Sequence, residues 1–159
     1  MTGLSADRAV AMTALDSRQA NSAEREAGSG AIAQHKPALV INAAAYTNVD
    51  RAETEKDKAR LGNETGPAVL SEACAHAGVP LVHISTDYVF DGNKQGAYLE
   101  SDPVCPINYY GASKAAGEAA IRATLARHII LRTSWLYSEF GRHFLKTMMR
   151  LSATTSDLH

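Results

Sequence analysis

The chain has 159 residues, 45% of them hydrophobic and 21% charged, with a formal net charge of -1. That length suits one domain with a sizeable core, and the near-neutral balance gives no electrostatic reason to expect nucleic acid or an acidic membrane surface as partner. The apolar runs fall far short of a membrane span, and the opening Met-Thr-Gly-Leu-Ser-Ala-Asp-Arg lacks the basic-then-apolar order of a secretory signal.

Cys74 and Cys105 form no Cys-x-x-Cys pair, so two reduced thiols in a cytoplasmic protein are expected. The six His show no ligand spacing, and no metal site is expected. In chain order, Ala9 to Leu15 reads as a short strand ending at Asp16. The stretch from Glu24 to His35 is helical, stopped by Pro37. Within it, Gly28-Ser29-Gly30-Ala31-Ile32-Ala33 fits G-x-G-x-x-A. It follows a polar helical segment and not a buried strand, so it is read as ordinary helix. Ala38 to Asn42 is a continuous apolar run, as in a parallel strand covered on both faces. From Asp50 to Ala77 the chain is charged, then amphipathic, with Gly66-Pro67 interrupting a helix or starting its second part; Gly78 and Pro80 end it.

Leu81 to Ser85 reads as another buried strand, followed by a loop punctuated by Asp91-Gly92, Gly96, Pro103 and Pro106. A helix carrying Tyr110 and Lys114 runs to about Arg127. Ile129 to Thr133 is the next strand, and Phe144 to Leu151 a last helix. Alternating strands and helices predict an α/β fold with a Rossmann-like, doubly wound parallel sheet. Ligands bind such sheets beyond the carboxyl ends of the strands. Asp16, Asn42 to Thr47, Ser85-Thr86-Asp87 and Ser134-Trp135 all fall there.

Tyr110 and Lys114 stand four apart in an alanine-rich helix and share a face. An ammonium beside a phenol lowers the phenol's pKa and suits it to proton transfer near neutrality. The small side chains of Ala44 and Ala45, with Thr47, let backbone approach a dinucleotide closely.

Four ordered blocks carry a resemblance. They are Val40-Ile41-Asn42-Ala43-Ala44-Ala45-Tyr46-Thr47-Asn48-Val49-Asp50, His83-Ile84-Ser85-Thr86-Asp87-Tyr88-Val89-Phe90-Asp91-Gly92, Pro106 to Glu118, and Arg132-Thr133-Ser134-Trp135-Leu136-Tyr137. Together they resemble the extended short-chain dehydrogenase/reductase superfamily and, within it, the dTDP-4-dehydrorhamnose reductases. The likeness covers nearly all of residues 38–151. It implies hydride transfer from NADPH or NADH to the C4 ketone of a dTDP-sugar, dTDP-4-dehydro-L-rhamnose. Catalytic roles then fall to Tyr110, Lys114 and Thr86, and cofactor contacts to Ala44, Ala45, Thr47, Tyr110 and Lys114. Substrate contacts fall to Thr86, Asp87 and Trp135, and full-length members imply a homodimer. Glu118 resembles the family's Gly-Glu ending, and a solvated helix charge explains it equally well.

Measured against that family, residues 1–159 correspond to a partial NAD(P)-binding Rossmann domain. The first strand with its glycine-rich turn is expected before residue 1, and the substrate domain beyond His159. The second strand would then be Ala9 to Leu15, with Asp16 near an adenosine ribose and Arg18 open to a 2′-phosphate. Asn21-Ser22 departs from the family's acidic-apolar pair. The expectation is a fragment or degenerate frame that folds poorly and does not turn over. Two other readings stay open: a sibling NDP-sugar epimerase or reductase, and a non-catalytic regulatory subunit like the β subunit of methionine adenosyltransferase.

Overall fold

The structure is a computed structural model that describes residues 11–16, 19, 23–141 and 143–153. Its framework is a three-stranded sheet of β1 (Val40–Asn42), β2 (Leu81–Thr86) and β3 (His128–Thr133), in the order β1-β2-β3 and parallel throughout. Each crossover is helical, as parallel pairing requires. Helix α1 (Arg25–His35) precedes β1. Between β1 and β2 lie α2 (Val49–Ala52), α3 (Lys56–Arg60), a π turn (Leu61–Thr65) and α4 (Gly66–Ala77). Helix α5 (Tyr109–Thr124) joins β2 to β3, and α6 (Phe144–Ser152) follows β3. This is the expected α/β class.

The second and third strands are those the apolar runs predict. Helix α1 contains the G-x-G-x-x-A string, so that string is helix as expected. The Gly66-Pro67 pair marks where the π turn gives way to α4, inside a continuous helical run with Thr65 and Gly66 both helical. Gly78, at φ 67°, takes the left-handed turn that ends it.

Two expectations fail. Residues 11–16 form no strand, and Met12 and Leu15 are exposed: among the described residues no neighbouring strand pairs with them. Residues 9 and 10 of that expected strand, with Arg18 and the Asn21-Ser22 pair, lie outside the described residues. The run from Ala38 pairs only over Val40–Asn42, and it is covered on one face, not two. Ile32 of α1, Cys74 of α4, Ile121 of α5 and Leu125 pack with Leu81 into one core, flanked by Val40 and Ile130. The register sets Ile41, Val82 and Ile129 side by side on the opposite face. There Ile41 is 61% and Ile129 57% exposed. Helices α1, α4 and α5 thus share one side of the sheet. Helix α6, whose Phe144, Leu145 and Met149 are exposed, buries no residue against it.

Candidate active site

The strands run parallel, so their carboxyl ends share one edge. Beside that edge stands the start of α5. The Asn108 side chain caps it, accepting from the Gly111 N–H at 2.7 Å. The Tyr109 N–H, another unpaired donor of the first turn, is taken by Glu53 Oε1 at 2.7 Å. Gly111 is required here because a Cβ would overlap the Tyr88 carbonyl. The close approach brings Tyr110 against Tyr88 edge-to-face, with centroids 5.6 Å apart.

Thr86 ends β2 almost fully buried. Its hydroxyl accepts from the Tyr88 N–H at 3.2 Å, capping the short turn Asp87–Val89, and donates to Asp87 Oδ1 at 3.1 Å. Asp87 Oδ2 accepts from Ser134 Oγ at 2.7 Å, tying the ends of β2 and β3 together. Thr86 and Asp87 thus stand together at the end of β2, and Tyr110 reaches them through a hydrogen bond with Thr86.

The electrostatics of that cluster differ from expectation. The Tyr110 phenol is not tuned down; its pKa lies above the ordinary value. Burial raises it most, a hydrogen bond with Thr86 opposes, and the charges of Asp87 and Tyr88 add to the rise. Lys114 does not offset this, because its ammonium turns to the sheet. It donates to the Ile84 carbonyl at 2.7 Å and meets His83 Nε2 at 3.3 Å. Burial pushes Lys114 down to about 8, with Glu118 opposing. At neutral pH the phenol holds its proton and the lysine most of its charge.

Ala44, Ala45 and Thr47 follow β1 as an exposed segment. Asn63, fully buried in the π turn, clamps it. Its Oδ1 accepts from the Tyr46 N–H at 2.9 Å, and its Nδ2 donates to the Tyr46 carbonyl and to Ser113 Oγ, each at 3.0 Å. The link from this segment to Tyr110 is indirect, through Asn63 and Ser113, whose hydroxyl donates to the Tyr110 carbonyl. Trp135 stands apart from the cluster. It is 76% exposed, holds φ at 52° and packs edge-to-face on Phe144 at 5.4 Å. A bulky residue in that region is strained by about 1–3 kcal/mol.

Glu118 is fully buried, which removes the solvated-charge reading. Its oxygens accept from Arg132 at 2.6 and 3.0 Å and from Ser85 at 2.6 Å, and Arg122 lies 3.1 Å away. Burial pushes its pKa up, but the hydrogen bonds from Arg132 and Ser85 outweigh it and the carboxyl titrates below its usual range. Asn63 and His83 are the residues sequence reading passes over. The signal for Asn63 is an amide on the buried stripe Ala59, Asn63, Pro67 and Ser71, four apart on one face. For His83 it is an imidazole flanked by Leu81, Val82 and Ile84 in the apolar half of a buried strand.

A cavity of about 250 Å³ lies at the other end of the sheet, lined by Leu39, Pro80, Val82 and Ile129 among others. It is apolar and away from this chemistry. Among the described residues no group of three or more His, Cys, Asp or Glu could hold a metal ion, and no helix is long and apolar enough to cross a membrane.

The parallel sheet, with its polar residues gathered at the carboxyl ends beside a Tyr/Lys helix, defines a Rossmann-like α/β protein. More narrowly, the chain belongs to the family described as RmlD substrate binding domain, which matches residues 1–159. A curated dTDP-4-dehydrorhamnose reductase from Sinorhizobium fredii is 48% identical over 123 residues, covering 77% of this chain and 42% of that protein. The crystal structure of a dTDP-4-dehydrorhamnose reductase from Clostridium acetobutylicum superposes with a TM-score of 0.92 at 36% identity, covering 97% of this chain and 55% of that one. The Bacillus anthracis enzyme, solved in complex with NADP, gives a TM-score of 0.86 at 39% identity, covering 89% of this chain and 50% of that one. The chain thus spans roughly half the length of these relatives.

Proposed function

We propose that this chain carries the proton-donor part of a dTDP-4-dehydrorhamnose reductase site, within residues 1–159 as part of an NAD(P)-binding Rossmann domain. The observation that supports it most is the cluster of a protonated Tyr110 with Thr86 and Asp87 at the carboxyl end of β2. The residues present fit a nicotinamide cofactor, NADPH or NADH, at its ribose end. The Ala44-Ala45 backbone is exposed, bears small side chains and leads into Tyr46, which Asn63 holds, and Lys114, only 2% exposed, has a third ammonium N–H beyond its two protein partners. When bound, that cofactor supplies the hydride for the C4 ketone.

The chain's own residues do the rest. Tyr110 gives its proton to the oxygen that gains charge as the ketone is reduced. The Thr86 hydroxyl, turning its proton from Asp87 Oδ1, donates a hydrogen bond to the same oxygen, which favours the charge as it develops. Asp87, fixed by Ser134, takes substrate hydroxyls, and Trp135 offers an exposed aromatic face to the sugar or base.

Trp135 is the single tryptophan, so its fluorescence reports on its own surroundings. Titration of the purified chain with dTDP is expected to quench it. NADPH oxidation with dTDP-4-dehydro-L-rhamnose is expected to be lost in Tyr110→Phe while dTDP quenching persists. Neither quenching nor oxidation by the wild-type chain, with co-purification of a partner synthetase instead, would sink this reading.

A further inference from the structure

The ammonium of Lys114 is held from the sheet side, and by a residue with no other visible task. His83 is fully buried in the middle of β2. A buried core histidine ordinarily satisfies both ring nitrogens. Among the described residues Nδ1 has no hydrogen-bond partner, and neither has Nδ2 of Asn42, its register partner on β1. The ring's one polar contact is Nε2 against Lys114 Nζ at 3.3 Å. As packing alone the imidazole is a poor choice, because a leucine would fill the strand position and strand no polar atom.

We propose that His83 is a positioning residue for Lys114. Its neutral Nε2 and the Ile84 carbonyl take two of the three ammonium N–H groups and leave the third for a hydroxyl-bearing ligand such as a nucleotide ribose. The ribose rests on the function proposed above; the hold on Lys114 does not. An ammonium is donor only, so the contact requires the tautomer with the lone pair on Nε2 and the proton on Nδ1.

The surroundings keep the ring in the form this needs. Burial holds His83 down to about 4, Lys114 adds to the depression, and Glu118 opposes it. The groups facing Lys114 are few. On α5 they are Tyr110 one turn before and Glu118 one turn after. On β2 there is His83, with Asp87 beyond its end. Arg132 of β3 is engaged with Glu118, and the uncharged Asn63 of the π turn with Ser113, the residue before Lys114. Like the Ile84 carbonyl, His83 accepts from the ammonium without adding charge, and these two are the acceptors it reaches.

The test uses the full chain labelled with nitrogen-15 at Lys and His, with the Lys114 signal identified by its absence in Lys114→Met. At pH 7 the His83 ring is expected to show a protonated Nδ1 and a bare Nε2. In His83→Leu the Lys114 titration midpoint is expected to fall by about one to two pH units, the equivalent of one lost charge-assisted hydrogen bond. His83→Gln, which keeps an acceptor of similar reach, is expected to recover most of that fall. A proton on Nε2 in the wild type, or a midpoint unmoved in His83→Leu, would overturn the proposal. If His83→Leu does not fold, the wild-type tautomer and the His83→Gln midpoint decide it. None of these readouts requires turnover, so an inactive chain leaves them interpretable.

Discussion

Gly117 of α5 and Asn63 of the π turn meet backbone to backbone: a Cβ on Gly117 would overlap the Asn63 carbonyl oxygen. The atom in the way is main chain and cannot swing aside. It also belongs to the residue that clamps Tyr46, so pressure here reaches the Ala44–Thr47 segment directly.

Gly117→Ala is therefore expected to destabilise the chain by about 1–3 kcal/mol, the usual range for forcing a group into a packed contact. This holds although alanine is the better helix former by about 1 kcal/mol. A urea midpoint that rises in Gly117→Ala would show that the helix can shift to admit the methyl group.

Asn63→Ala is expected to cost about 1–3 kcal/mol, because it leaves buried partners unmatched. Its more telling effect is local. The Tyr46 amide should lose hydrogen-exchange protection, and NADPH affinity should fall, while dTDP quenching of Trp135 stays unchanged. Equal loss of both ligands would contradict a clamp specific to the segment after β1.

The sheet and its helices were legible because continuous apolar runs and cap signals are local. Leu81 to Ser85 and Ile129 to Thr133 are strands on either reading, and Gly78 stops α4 by its own left-handed turn. What was not legible depends on distant partners. The π turn at Leu61–Thr65 carries an Asn63 whose side chain reaches Tyr46, seventeen residues back. Spacing placed Lys114 one turn after Tyr110 on a helix, and both lie on α5. It could not show that a buried ammonium would turn to the nearest acceptors, His83 and the Ile84 carbonyl. Glu118 was ambiguous for the same reason, since its burial rests on Arg132 of β3.

Glu118 gives the chain a dependence on acid. Its carboxyl titrates below its ordinary value in the folded state, so in that window the unfolded chain binds the extra proton. The stabilisation is complete above the unfolded value near 4.5 and is lost as pH falls through the lower folded value. Glu118→Gln should flatten this acid limb in a series of melting temperatures. At pH 7 it should cost about 1–3 kcal/mol, because the part-buried Arg132 loses its charged partner. An unchanged acid limb in Glu118→Gln would assign the loss to other carboxylates.

Lys114 gives a dependence of the same sign in the alkaline range, but there the buried charge costs stability at pH 7 instead of adding it. Burial lowers it from 10.5 to about 8, so between those values the unfolded chain binds more protons than the folded one. Stability should therefore rise with pH across that window. At pH 7 both states are protonated, and the full cost of burying the charge is present. Lys114→Met removes the charge, keeps much of the volume and gives up the bonds to His83 and Ile84. Breaking those bonds works against the variant, but the relieved burial of an ammonium is the larger effect. The variant should melt higher than the wild type at pH 7 by the equivalent of about 1–2 kcal/mol, with the difference shrinking toward pH 10. It should also lose NADPH binding, as expected where a functional group is kept at the expense of stability. Melting curves of the two proteins from pH 7 to pH 10 check this, and a Lys114→Met protein less stable throughout would show that the ammonium's hydrogen bonds outweigh its burial.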